Sequence, residues 1–283
     1  MSSKLINGKE IGNTIRESIQ LEVNALKEKG ITPGLAVILV GDDQASQKYV
    51  SNKQKSCEKL GIYSELIKLP AETTEQELLQ HIEALNQNNA IDGILVQLPL
   101  PKHINEDAVI AAISPEKDVD GFHPISVGKM ILGQETFLPC TPHGVMKLLQ
   151  HSNVEIRGKH AVVVGRSHIV GVPMGQLLLQ SDATVTYAHS KTPDLAAITK
   201  QADILVVATG RAKMIKKEHV KEGAVIIDVG MDLDENGKLC GDVDFDDVFD
   251  TVSAITPVPG GVGPMTITML LVNTVQSAKQ KLS

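Results

Sequence analysis

The chain has 283 residues, a net charge of −7 and 42% hydrophobic residues, with no Trp, three Tyr and four Phe. That length allows about two domains of ~150 residues, each with its own core. The negative balance excludes any global attraction to nucleic acid or acidic membrane, and the scarcity of rings excludes stacking platforms for single strands, so an anionic ligand needs local cations.

Residues 9–29 carry Ile11, Ile15, Ile19 and Val23 at four-residue spacing, with Leu26 extending the face and Gly30 as a stop, which predicts an amphipathic helix. A buried strand follows at 35–40. Gly41-Asp42-Asp43 turns the chain into a helix over 44–60. A strand at 62–69, a helix at 74–85 and a strand at 93–98 complete βαβ units and a first α/β domain. The stretch 113–140 is less regular, and the domain crossing is placed at its end, with Thr141 capping a helix to Gln150. Strands are expected at 161–164, 183–187, 204–208 and 224–229, a small doubly wound unit, before a last helix over 265–280. The expected architecture is two α/β domains, the second a Rossmann-like doubly wound parallel sheet. No stretch reaches the ~18 apolar residues of a membrane span, and the N-terminus lacks the apolar core of a signal peptide, which points to a cytoplasmic protein. Cys57, Cys140 and Cys240 form no C-x-x-C pair, so they are read as buried thiols in a reducing compartment, with no structural zinc.

Ala161-Val-Val-Val-Gly-Arg-Ser-His-Ile-Val-Gly-Val-Pro173 reads as a dinucleotide loop. Small apolar residues suit a central strand, Gly165 permits a tight exit, Gly171 allows close backbone approach, and Pro173 suits the start of a helix whose free N–H groups face a phosphate. It departs from G-x-G-x-x-G, because Ser167 stands at the second glycine and six positions separate Gly165 from Gly171. An NAD site places an acid after the second strand; here that strand leads into Ala188-His-Ser-Lys-Thr192. Arg166 and Ser190 can instead hold a 2′-phosphate, so NADP is preferred over NAD.

In the first domain, Tyr49 and Lys53 are four apart and share a helix face. Gln97 is a polar residue at the end of a buried strand, where open α/β sheets place ligands. Asp118, Asp120 and His123 are read as a turn closed by Asx hydrogen bonds in preference to a metal site. Gly165-Arg-Ser-His-Ile169 breaks the nucleophile elbow at its last position, which rejects a hydrolase of that kind.

Six stretches together resemble one family over nearly the whole chain, the bifunctional methylenetetrahydrofolate dehydrogenases and methenyltetrahydrofolate cyclohydrolases. They are Tyr49-Val-Ser-Asn-Lys53, Gly93-Ile-Leu-Val-Gln-Leu-Pro-Leu-Pro101, Pro115-Glu-Lys-Asp-Val-Asp-Gly-Phe-His123, Pro139-Cys-Thr-Pro142, Gly165–Pro173 and Pro257-Val-Pro-Gly-Gly-Val-Gly-Pro-Met-Thr266. The resemblance implies oxidation of 5,10-methylenetetrahydrofolate by NADP, then hydrolysis of the methenyl cation to 10-formyltetrahydrofolate, in one cleft. It implies that Lys53 is the acid/base, that Gln97 holds Lys53, that Tyr49 packs on the folate and that Asp120 accepts hydrogen bonds from the pterin. Gly260 and Gly261 would line the substrate site. Thr141, Gly165, Arg166, Ser167, Gly171, Ser190 and Val229 would contact the cofactor. It further implies a homodimer, and a folate domain of 1–140 with 265–283 around a nucleotide domain of 141–264. Two other readings remain open: another NADP oxidoreductase acting on a hydroxy acid or shikimate-like substrate, and a non-enzymatic NADP-sensing module.

Overall fold

The computed structural model describes residues 4–282. They divide into two compact units, one of Thr14–Cys140 with the residues from Ile267 onward, the other of the residues up to Asn13 with Thr141–Thr266. The division expected from sequence therefore needs correction at its start, Met1 to Ser3 themselves lying outside the described residues. Ile6 N–H donates to Ile255 O at 2.9 Å, Ile255 N–H donates to Lys4 O at 2.8 Å, and Lys4 Nζ reaches Phe249 O at 3.2 Å. The N-terminal segment thus satisfies backbone groups of a sheet edge in the second unit, an edge that would otherwise stay open.

The first unit takes helix α1 (Gly8–Glu28) from Thr14 onward. It continues through β1 (Gly34–Val40), α2 (Gln44–Leu60), β2 (Tyr63–Leu69), α3 (Glu75–Gln87), β3 (Gly93–Val96), α4 (Glu106–Ala112) and α5 (Pro124–Ile131). Its sheet is parallel, in the order β2-β1-β3. All seven residues of β1 are buried, as an unbroken apolar run in a covered parallel strand demands. Ala36, Ile38 and Val40 of β1 pack with Leu78, Ile82 and Leu85 of α3. Local chemistry sets the helix ends. Asp43 accepts from Ser46 N–H at 2.7 Å to open α2, Gly61 closes it at φ 69°, and Thr74 and Glu77 form a reciprocal capping box on α3.

The second unit runs through α6 (Cys140–His151, from Thr141), β4 (His160–Val164), α7 (Gly171–Gln180), β5 (Thr184–Ala188), α8 (Leu195–Thr199), β6 (Ile204–Val207), β7 (Val225–Asp228), the hairpin strands β8 (Asp232–Leu233) and β9 (Leu239–Cys240), α9 (Phe245–Val248) and β10 (Ala254–Ile255). Five parallel strands take the order β10-β7-β6-β4-β5. Counted within the unit this is 2-1-3-4-5, a doubly wound sheet whose topological switch lies between β4 and β6. The fifth strand and the hairpin went unforeseen, because two-residue strands carry no readable alternation.

Helix α10 (Val262–Lys279) begins in the second unit and ends in the first. Its return, expected from sequence, is fixed by polar side chains. Asn273 donates to Val119 O at 2.8 Å and Leu138 O at 3.0 Å, and Ser277 donates to Asp92 O at 2.7 Å and Glu116 O at 2.9 Å. Helix α6 starts at Cys140, two residues before the start that a cap at Thr141 implies. Thr141 therefore lies in its first turn and does not cap it; its hydroxyl is 2.9 Å from that of Thr266. Among the described residues no helix is long and apolar enough to cross a membrane, and no group of three or more His, Cys, Asp or Glu is placed to hold a metal.

Candidate functional site

In the first unit the polar centre is Lys53. Helix α2 places Lys53 and Tyr49 one turn apart, Tyr49 half-buried and Lys53 only 8% exposed. The ammonium has thus lost most of its water. Its Nζ donates to Gln97 Oε1 at 3.0 Å. Gln97 follows β3 directly and is pinned on both sides, its backbone N–H donating to Ile38 O at 2.9 Å and its Nε2 to Leu98 O at 2.6 Å, ahead of the cis Leu98-Pro99 bond. With the amide nitrogen committed, the amide oxygen has to face the lysine. Lys53 and Gln97, both expected at the site, are thus brought together.

Asp120 completes the group. Burial lowers the Lys53 pKa while the Asp120 charge opposes that drop; burial likewise raises the Asp120 carboxyl, with Lys53 pulling it back. The two directions agree, because enclosure moves an acid and a base towards their neutral forms and mutual attraction moves them back. Enclosed, oppositely charged groups of this kind are the ones suited to acid/base work. Asp120 lies on the turn expected from Asp118 and His123. The Asp118 carboxylate accepts from Phe122 N–H at 3.2 Å and His123 N–H at 2.8 Å, and burial pushes its carboxyl up to about 6. The His123 ring in turn accepts from Ile125 N–H at 3.0 Å and caps α5.

One neighbour was missed from sequence. Cys140, read only as a buried thiol, donates its Sγ to Val119 O at 3.2 Å and also hydrogen-bonds Asp120. Burial, reinforced by the Asp120 charge, raises its pKa well above the ordinary range, so it stays a thiol. Its place in Pro139-Cys-Thr-Pro142, where the chain leaves the first unit, was the signal available.

The second unit gathers the other expected residues at the carboxyl ends of its strands. Gly165 ends β4 at φ 132°, and a Cβ there would overlap Ala208 O. A Cβ on Gly171 would overlap Gly165 O and stand 2.7 Å from Arg166 N. The turn is thus closed so tightly that only glycines fit, at the carboxyl end of the central strand, where a doubly wound sheet binds its ligand. Ser167, at the position of the second glycine, closes the turn itself, its Oγ accepting from Val170 N–H at 3.2 Å and Gly171 N–H at 3.4 Å. The third fingerprint role, close packing of helix on strand, falls to Gly175, where a Cβ would overlap the Tyr187 ring of β5. Arg166 and Ser190 are exposed on neighbouring loops, for Gly165 N–H donates to Ala188 O at 2.9 Å and sets the turn after β4 beside the turn after β5. Val229 N–H donates to Val207 O at 2.9 Å, which places Val229 at the end of β7 on the same edge.

Gly260 and Gly261, expected at the substrate, belong to this second unit and not to the Lys53 group. Gly260 has φ 110°, Gly261 approaches Pro257 O so closely that a Cβ would lie 2.6 Å away, and Lys9 N–H donates to Gly260 O at 3.0 Å. All three cysteines are free and buried.

The family model of the tetrahydrofolate dehydrogenase/cyclohydrolase catalytic domain matches residues 6–120, and that of the same family's NAD(P)-binding domain matches residues 139–282. These ranges follow the chain, whereas the compact units exchange residues at the N-terminus and along α10. The bifunctional protein FolD of Lysinibacillus sphaericus is 72% identical over 100% of both chains. Among solved structures, the bifunctional methylenetetrahydrofolate dehydrogenase/cyclohydrolase of Campylobacter jejuni aligns with a TM-score of 0.96 and 52% identity, covering 98% of this chain and 99% of that one. The Trypanosoma brucei methylenetetrahydrofolate dehydrogenase-cyclohydrolase, solved with NADP and an inhibitor, aligns with a TM-score of 0.94 and 41% identity over 98% of each chain.

Proposed function

Because this chain belongs to the tetrahydrofolate dehydrogenase/cyclohydrolase family, we propose a division of labour in which the Lys53 group of the first unit binds and hydrates the folate and the turn after β4 holds NADP. The reactions are oxidation of 5,10-methylenetetrahydrofolate to the 5,10-methenyl cation and its hydrolysis to 10-formyltetrahydrofolate. The observation that carries the assignment is the enclosed Lys53–Gln97–Asp120 arrangement.

When bound, NADP supplies the hydride acceptor. The chain's contribution to that step is orientation, since hydride transfer needs no protein base. Gly165 and Gly171 open the turn to the pyrophosphate, and the Arg166 guanidinium and Ser190 hydroxyl take the 2′-phosphate; no acid among residues 188–192 opposes it. Thr141, Ser167 and Val229 complete the set.

In hydrolysis, Lys53 accepts a proton from the water that attacks the bridge carbon and returns it to the departing ring nitrogen as the carbinolamine opens, while the carbinolamine hydroxyl loses its own proton as the formyl C=O forms, so that one proton is released overall. The lowered Lys53 pKa fits that cycle, because a base has to be partly unprotonated at the working pH. The cationic folate lowers it further. Gln97 Oε1 holds the amine, Asp120 accepts from the pterin N–H groups, and Tyr49 lays its ring on the folate. Gly260 and Gly261, expected at the substrate, belong to the second unit. We also propose that the protein is cytoplasmic and works as a homodimer, as the family resemblance implies.

A single spectrophotometric experiment tests the reading. With methylenetetrahydrofolate and NADP, NADPH absorbance rises and the methenyl chromophore then decays. NADP turnover with a hydroxy acid but not with folate would favour the other oxidoreductase, and NADP binding without turnover would favour a sensing module.

A further inference from the structure

Beyond the nucleotide loop, the second unit buries two carboxylates that the reaction does not use. Asp228 ends β7 and is 3% exposed; Asp242 follows the β8–β9 hairpin and is fully buried. Neither faces a cation. Apart from the neighbouring Asp232 carboxyl, which hydrogen-bonds Asp242, their oxygens accept from backbone N–H groups of the turns after β6 and β7 and of the stretch that follows β9. Asp242 Oδ2 accepts from Thr209 at 2.6 Å and Gly210 at 3.2 Å, and its Oδ1 accepts from Arg211 at 2.8 Å. Asp228 Oδ1 accepts from Gly230 at 2.9 Å and Asp242 at 3.0 Å, and its Oδ2 accepts from Val243 at 2.9 Å.

The arrangement is reciprocal. A Cβ on Gly241, beside Asp242, would overlap the Asp228 carboxylate, and a Cβ on Gly230, two residues after Asp228, would overlap the Asp242 carboxylate. Each acid is thus seated against a glycine next to the other acid. Thr256 closes the back of the site, accepting from Asp228 N–H at 2.8 Å.

We infer that Asp228 and Asp242 are positioning residues for the nucleotide, a double carboxylate clamp that holds the turns after β6 and β7 in the shape of the binding edge. The clamp reaches the phosphate turn through one contact. Asp242 fixes Thr209–Arg211, and the carbonyl of the preceding Ala208 is the wall against which Gly165 closes. Ala208 N–H in turn donates to Val164 O at 2.8 Å, at the end of β4. On the other side Asp228 fixes Gly230, next to Val229. The turn after β6 flanks the switch point between β4 and β6, where a doubly wound sheet binds its ligand, and the turn after β7 lies one strand further along the same edge.

A buried anion is an expensive way to close a turn. Burial, with Asp242 nearby, pushes the Asp228 carboxyl up to about 7 against three N–H donors that favour the charge. A carboxylate is the short side chain able to accept from three successive N–H groups at once, and Thr209–Arg211 present three. In Asp242→Asn the amide nitrogen must face at least one of those donors, so the turn loosens with almost no change in volume.

The inference rests on NADP binding at the turn after β4. The test uses the full-length chain and its Asp242→Asn and Asp228→Asn variants. Hydrogen exchange without nucleotide reads the Thr209–Arg211 amides, titration reads the NADP dissociation constant, and hydrolysis of the methenyl substrate, which consumes no nucleotide, reports the integrity of the first unit. Expected are faster exchange at Thr209–Arg211 in Asp242→Asn and a dissociation constant raised about tenfold in both folded variants. Methenyl hydrolysis stays at the parent rate. Two outcomes overturn the clamp: loosened amides with NADP affinity within twofold of the parent, or affinity that falls only in proportion to the unfolded fraction at melting. A parent chain that fails to bind NADP overturns the nucleotide reading itself.

Discussion

Replacing Lys53 by Met is the most informative single change. Met fills much of the same volume with an unbranched apolar chain, so the packing along α2 persists while the amine disappears. The hydrogen bond to Gln97 Oε1 is lost, yet Gln97 keeps its bonds to Ile38 O and Leu98 O and stays in place. Asp120 loses the Lys53 charge that opposes the effect of burial, so its pKa rises further towards the neutral form, which is cheaper to bury. The fold and NADP binding should therefore survive. A positioned acid/base contributes about 10²- to 10⁴-fold, which at 1.36 kcal/mol per decade is about 2.7–5.4 kcal/mol of barrier. Hydrolysis of methenyltetrahydrofolate, followed by loss of its absorbance, should slow by that factor. Lys53→Arg sharpens the test: guanidinium keeps the charge but cannot give up its proton at working pH, so it should be slow as well. Full-rate hydrolysis in a folded Lys53→Met protein would refute the assignment. Full activity in Lys53→Arg would show that the positive charge matters and the proton does not.

Three further changes address other parts of the molecule. Arg166→Ala should weaken NADP by about 10- to 100-fold, the worth of one charge-assisted hydrogen bond, and NAD far less; equal losses for both in steady-state kinetics would remove the 2′-phosphate argument. Asp118 has a folded pKa of about 6 against an ordinary 3.8, so between these values the native state binds a proton that the unfolded chain has released. The Asp118 contribution to stability is therefore fullest below pH ~4 and falls by about 3 kcal/mol as pH rises past ~6, and Asp118→Asn should remove that contribution to the difference between urea unfolding at pH 4.5 and 7; parallel curves for variant and parent would contradict it. Asn273→Ala should destabilise by about 1–3 kcal/mol in the same assay, set chiefly by Leu138 O, since Val119 O still receives the Cys140 thiol. Because Val119 precedes Asp120, cyclohydrolase activity should fall more than melting temperature alone accounts for.

Much of the site was legible in the chain because its residues break local rules. Gln97 interrupts an apolar run, Tyr49 and Lys53 repeat at one helical turn, and Gly165 and Gly171 bracket a loop between strand and helix. Such exceptions cost stability, and each marks a place where the structure puts a polar or bare backbone group to use. Cys140 broke no rule, since a small thiol is at home in a core, and its contact with Asp120 went unread. Asp228 and Asp242 were readable in part, as charged residues at the edge of apolar segments, but nothing local said that the thirteen intervening residues would return one to the other.

What the sequence determined by itself was the alternation of strands and helices, the parallel sheets, the phosphate turn and the likeness to a folate-dependent enzyme. Periodicity, capping residues and glycine chemistry are local, and they act over a few residues of chain. Tertiary structure alone decided where the units divide, because the residues up to Asn13 cross to pair with Ile255 and α10 returns to bind Val119 and Leu138 through Asn273. It also decided the state of Lys53. An i, i+4 pair on a helix is a solvated lysine or a proton-transfer group according to what encloses it, and the enclosure comes from Gln97, Asp120 and Cys140, residues 44 to 87 positions away. Desolvation is a property of the assembled neighbours, and no stretch of sequence contains it.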